Sequence, residues 1–180
     1  MSFIVQQAEA GAASQVGGKA AAMSRLAAHG FNPPAFFAIK PEAFRHGRTG
    51  PTAANGLASE LTVALADLGP GPYAVRSSGR AEDGAEHSHA GQFDTVLNAA
   101  AKDVMTAAKQ VWASGFSETV ETYRAVKSGG KAEAPAIIVQ RMIEAKSSGV
   151  AFSADPVSGQ RGQVVISAIE GFGDRLVSGE

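Results

Sequence analysis

YAVRSSGRAEDGAEHSHAGQFDTVLN, residues 73–98, runs from a short apolar segment into a polar, Gly-rich loop and back out into alternating residues. Tyr73, Ala74 and Val75 read as a strand, and Arg76 follows directly on it. Residues 93–97 read as the returning strand. An arginine fixed at a strand end beside a loop of small residues suits a polyphosphate. Its guanidinium presents several donors in a rigid fork, and the loop N–H groups can close over the same anion. Ordinary surface structure uses the same pattern, so its meaning rests on what the rest of the chain places beside it.

Composition narrows the classes. The chain has 180 residues, enough for one domain or two small lobes, with 44% hydrophobic and 18% charged residues. A net charge of -1 leaves no electrostatic footprint for nucleic acid. With no cysteine, disulfide frameworks and thiolate metal sites are excluded, which fits a reducing cytoplasm. The start, MSFIVQQAEA, lacks the basic and apolar regions of a signal peptide. No apolar run approaches the ~20 residues that cross a bilayer. The expectation is a cytoplasmic protein with neither membrane nor nucleic-acid partners.

Upstream of the opening stretch, residues 3–5 read as a strand. Gly17-Gly18 precedes a helix over 19–29, with Ala20, Met23, Leu26 and Ala27 on one face and Gly30 as its stop. Pro33-Pro34 leads into a buried strand over 35–39. Pro41 suits a helix start, with Phe44 as its core anchor. Residues 46–55 read as a loop and 56–68 as a helix, ended by Gly69-Pro70-Gly71-Pro72. Downstream, Val104, Ala107, Ala108, Val111 and Trp112 follow the amphipathic helix rule. A second helix over 117–126 leads to a linker at 128–131. Runs at 136–142, 149–154 and 163–168 are rich in β formers and closely spaced, which predicts an antiparallel meander. The expected organisation is an α/β lobe over 1–130 followed by the start of an antiparallel sheet over 131–180. The end at Glu180 carries no terminating element, as in a fragment of something longer.

Several residues invite chemistry. Gly17-Gly18-Lys19 opens a helix, so its N–H groups and the lysine charge could face an anion. It is not a Walker A loop, because Ala20 stands where Ser or Thr is needed. The bland alternative is a turn with a solvated lysine. Lys19 and Arg76 together would suit one triphosphate. His87-Ser88-His89 reads as a metal pair, as a phosphorylatable histidine or as a solvated loop; His29 and His46, the other histidines, lie in unrelated elements. No paired-carboxylate or Ser/His/Asp arrangement follows from spacing.

Five segments in order, VGGKAAAMSRLAAHGFNPPAFFAI, AVRSSGRAEDGAEHSHAGQFDTVLN, VWASGFSETVETYR, IIVQRMIEAKSSGVAFSADPVSG and EGFGDRLVSGE, span residues 16–180. Together they resemble the nucleotide-binding domain of the phosphoenolpyruvate synthase, pyruvate phosphate dikinase and rifampin phosphotransferase group, an ATP-grasp fold. The resemblance implies an α+β chain holding part of an ATP-grasp domain, with 131–180 on the adenine side. It implies a phosphate-contacting Lys19 and Arg76, both with catalytic roles. Gly91 and Thr95 would approach ATP, and Gln140 and the backbone near Met142 would read the adenine.

The same resemblance implies an ATP-dependent phosphotransferase. Its ATP passes a phosphoryl group through a histidine on another domain to pyruvate or another acceptor. Mg²⁺ would be held by carboxylates of the second half of the domain, outside this chain, so the chain alone is expected to bind ATP weakly without turning it over. Departures from the family pattern are Gly79-Arg80 for a small pair, His89 for Phe in an SFAG-like loop, Asp174 for Glu and Thr119 for an arginine. The last leaves open a catalytically inactive ATP-binding module, regulatory or interacting. His89 as a replaced loop Phe also accounts for HSHAG without a phosphohistidine.

Overall fold

The computed structural model describes residues 2–43, 51–79, 95–114, 135–173 and 176, with backbone alone for 51–55. The chain divides into two compact units, Met1–Met142 and Ile143–Glu180. The first is built on a five-stranded sheet of β1 (Ile4–Gln6), β2 (Phe36–Ile39), β3 (Tyr73–Ser78), β4 (Thr95–Ala99) and β5 (Ala136–Arg141), in the order β1-β2-β5-β3-β4. Every neighbouring pair is antiparallel. The longer helices among the described residues are α1 (Ala13–Ala28), α2 (Pro51–Leu68) and α3 (Val104–Ser114). The architecture is α+β, as the sequence led us to expect.

Strand alternation divides the core into two layers. Phe37, Ile39, Tyr73, Val75, Ile137 and Val139 form one cluster with Leu57, Leu61 and Ala64 of α2 and with α3. The opposite face carries Val5, Phe36, Ala38 and Ile138, which cluster with Val16, Ala20 and Ala21 of α1. All five apolar positions of the periodic pattern in α3 are buried, as the helical period predicts. The stripe of α1 is different. Its buried residues include Val16, Ala20, Ala21 and Ser24, while Leu26 is exposed. Small side chains at these positions let the helix lie close on the sheet.

Helix ends follow their local chemistry. Gly30 adopts φ 84°, its N–H reaches the Ala27 carbonyl, and Phe31 N–H reaches Leu26, closing α1 where the sequence predicts. Gly69, at φ 88°, closes α2 in the same manner. The expected loop over 46–55 is contradicted from Pro51 on, where α2 already begins, and its residues 46–50 lie outside the described residues. Proline is favourable at a first helical position, where its missing N–H costs no bond. Residues 41–43 are helical, while Phe44 lies outside the described residues. So do the expected helix over 117–126 and the linker at 128–131.

The expected three-stranded meander is not what forms. β5 sits between β2 and β3 in the five-stranded sheet, while β6 (Ser147–Ala154) and β7 (Arg161–Glu170) form a separate antiparallel pair. The reason lies in Ala136-Ile137-Ile138-Val139, which is apolar on both faces and buried on both. Such a continuous run belongs in the middle of a covered sheet, whereas half-buried strands alternate. In the second unit, the β6–β7 turn is organised by Asp155. Its carboxylate accepts from Val157 N–H and the Ser158 hydroxyl, both at 2.8 Å. These bonds hold the Asp155 carboxyl below the ordinary aspartate value, the Val157 N–H being the larger cause.

Candidate functional site

The site grows from the contact between α1 and the end of β3. Gly17 interrupts α1 with φ 78° and ψ 170°, a conformation open almost solely to glycine. The break turns the next residues onto β3. Gly18 N–H donates to the Gly79 carbonyl at 3.0 Å. Ala20 N–H donates to the Ser78 hydroxyl oxygen at 3.2 Å, in buried surroundings. Ser78 therefore caps a helix from which it is 58 residues distant in sequence. Contact is so close that a Cβ on Gly17 would lie 2.0 Å from the Ser78 carbonyl oxygen.

This geometry alters one expectation. The sequence led us to expect the N–H groups of the Gly-Gly-Lys helix start to face an anion. Two of them, on Gly18 and Ala20, are instead bound to Gly79 and Ser78 at the end of β3. What the junction offers a ligand is side-chain charge. Lys19 stands between the two tied residues and is half-buried.

Arg76 is exposed and, two residues before Ser78, shares its face of β3. Its cross-strand partners are Thr95 on β4 and Ile138 on β5, and Ile138 belongs to the cluster under α1. Directly opposed residues place their Cβ atoms about 5 Å apart. Arg76 and Thr95 are thus neighbours on the α1 side of the sheet, and Lys19 enters the same side from the helix. Gly91 lies outside the described residues, as do Thr119, His87 and His89.

Gln140 pairs with Ala74 and Phe36, one diagonal step from Arg76 on the same face. It is 7% exposed. Its amide nitrogen donates to the Pro34 carbonyl and to the Met23 sulfur, each at 3.2 Å. The amide thereby fastens α1 and the Pro34 turn to β5. Met142 lies beyond β5, and its N–H donates to the Pro72 carbonyl at 3.0 Å. The sequence-derived residues thus fall into two groups: Lys19, Arg76 and Thr95 at the Ser78 end, and Gln140 and Met142 toward the other. Ser78 and the geometric role of Gly17 were not singled out beforehand. The only local signal for them was a Ser-Gly step after the strand and a glycine pair before the lysine.

A family model described as "Pyruvate phosphate dikinase, AMP/ATP-binding domain" matches residues 52–180. The chain belongs to this family. A rifampicin phosphotransferase from a Streptomyces species is 40% identical over 126 residues, covering 68% of this chain and 15% of that protein. The prodigiosin synthesizing transferase PigC of Serratia marcescens is 31% identical over 189 residues, covering 92% of this chain and 21% of that protein. A probable phosphoenolpyruvate synthase of Archaeoglobus fulgidus is 41% identical over 109 residues, covering 59% of this chain and 14% of that protein. The chain thus spans about a fifth or less of the length of these relatives.

For a member of an AMP/ATP-binding family, the two cations and Thr95 on one sheet face have the chemistry that a polyphosphate needs. Among the described residues, no three or more His, Cys, Asp or Glu are grouped to hold a metal ion. Among the described residues, no helix is long and apolar enough to cross a membrane.

Proposed function

We propose that this chain is the ATP-binding part of an ATP-dependent phosphotransferase of the phosphoenolpyruvate synthase type, acting in the cytoplasm. The observation that supports the proposal is that Arg76 and Thr95 pair on the α1 face of the five-stranded sheet, while the residues on either side of Lys19 are bound to the Ser78–Gly79 end of the same strand. Lys19 and Arg76 hold the β- and γ-phosphates, and Thr95, with Gly91, approaches them. Toward the other end of that face, Gln140 and the Met142 backbone meet the adenine. With the Gln140 amide nitrogen held by Pro34 and Met23, the amide oxygen is the group suited to the purine's exocyclic amine. In the whole enzyme, an ATP-grasp domain completed by further chain supplies the carboxylates for Mg²⁺. A phosphoryl group then passes to a histidine on another domain and on to pyruvate or another acceptor.

Calorimetric titration of the chain with ATP and Mg²⁺ tests this reading. Replacing Lys19 or Arg76 by Ala removes a charge-assisted contact and should weaken binding by about 1–3 kcal/mol, roughly 5–150-fold. An unchanged affinity in both variants rejects the site. The chain alone is expected to release no phosphate from ATP, and turnover by the purified chain would overturn that part.

A further inference from the structure

We infer that Ser78 is a positioning residue for the polyphosphate, acting through Lys19; the inference rests on the ATP-site reading above. Ser78 is fully buried, at 0% exposure, so its hydroxyl touches no ligand. That hydroxyl accepts the Ala20 N–H, and the next carbonyl, of Gly79, accepts the Gly18 N–H. Lys19 is the single residue between these two bonds. Its backbone is therefore fixed on both sides against the strand that carries Arg76. The absence of a side chain at Gly17 is what permits this approach, since a Cβ there would lie 2.4 Å from the Ser78 hydroxyl oxygen. One buried hydroxyl thus sets the spacing between two cations carried by different elements. Pre-set spacing matters because a flexible cation would have to be ordered at the moment of binding, at a cost in affinity.

A double-mutant cycle on the full chain decides the matter, with ATP affinity measured by calorimetry for the unaltered chain, Ser78→Ala, Lys19→Ala and the double variant. If Ser78 works through Lys19, Ser78→Ala weakens ATP binding by about 3–10-fold, the worth of one internal hydrogen bond. In the Lys19→Ala background the same substitution then changes the affinity by less than about twofold. A loss of equal size in both backgrounds, or no loss in the single variant, overturns the inference. A merely structural role lowers stability without this dependence on Lys19. Should Ser78→Ala fail to fold, as judged by the emission of Trp112, the same-shaped Ser78→Cys, whose sulfur is only a weak acceptor, goes through the same cycle. The two readings fail separately: no ATP binding, or no effect of Lys19→Ala, rejects the ATP site itself, whereas a clear Lys19 effect with additive Ser78 loss rejects this inference alone.

Discussion

Replacing Gly17 by Ala sets two physical arguments against each other. Within a helix, alanine is favoured over glycine by about 1 kcal/mol, so a propensity argument predicts a more stable protein. The geometry predicts the reverse. At φ 78° and ψ 170°, Gly17 occupies a region that costs an L-residue about 1–3 kcal/mol. The new Cβ would meet the Ser78 oxygen at 2.0 Å and its carbonyl carbon at 2.4 Å. These are backbone atoms of the last residue of β3, which pairs with Ala136 of β5, so they have little room to swing aside. Relieving such overpacking costs about 1–3 kcal/mol. If α1 lifts instead, the Gly18–Gly79 and Ala20–Ser78 bonds are lost, at about 1 kcal/mol each. We expect a net loss of about 2–6 kcal/mol, comparable with the lower part of the usual 5–15 kcal/mol of a domain. Urea unfolding followed by Trp112 emission reads it directly, because the chain has one tryptophan and it is buried in the core of the first unit. With a slope of about 2 kcal/mol/M, the midpoint should fall by about 1–3 M. Gly11→Ala is the control: a Cβ there meets nothing within 4 Å, and the shift should stay within about 0.5 kcal/mol. A Gly17→Ala protein as stable as the original, or more so, would refute the close approach of α1 and β3.

Two further outcomes follow from single groups. One Glu60 carboxylate oxygen accepts from the Ser2 hydroxyl at 2.7 Å, Phe3 N–H at 2.8 Å and Ile4 N–H at 3.2 Å, so it pins β1 to α2. Glu60→Ala should cost about 1–3 kcal/mol and speed amide exchange at the β1–β2 pairing; unchanged exchange there would contradict this role. For Asp155, the carboxylate form gains the Val157 and Ser158 bonds, so its folded-state pKa is depressed. The support it gives the β6–β7 turn is therefore complete above the ordinary aspartate value and disappears as pH falls through the lower, folded one. An NMR titration of the Asp155 carboxyl should have its midpoint below 3.8, and a midpoint at or above that value would refute the turn geometry.

What was legible in the sequence was what neighbouring residues decide. The period of Val104, Ala107, Ala108, Val111 and Trp112 placed α3 and its buried face because a helix repeats within one turn. Gly30 and Gly69 marked helix ends because the left-handed cap is a local event. Pairings between distant segments were not legible. The run of Ala136–Val139 announced a strand, yet its place between β2 and β3 depends on partners far upstream. The Gln140 contact with Met23, 117 residues away, shows how far such partners reach. Arg76 was readable as a phosphate candidate from its own strand and loop. Its pairing with Lys19 could be named as suited to one triphosphate, but the tie between Ala20 and Ser78 that brings α1 to β3 crosses 58 residues and was not legible.

That tie also determines which kind of anion chemistry the junction can offer. A helix start binds phosphate when its first N–H groups are left without partners and the helix dipole is aimed at the ligand. Here the Gly18 and Ala20 N–H groups already serve the packing of α1 on β3. The proposed phosphate contacts then rest on lysine and arginine charges whose backbones the sheet holds in place. Glycine at position 17 serves stability and ligand geometry through one contact, because the close approach that a Cβ would forbid is also what brings Lys19 to the strand of Arg76. A substitution at that contact therefore cannot alter the spacing of the cations without also weakening the core on the α1 side, where Val16, Ala20 and Ala21 meet Ile138.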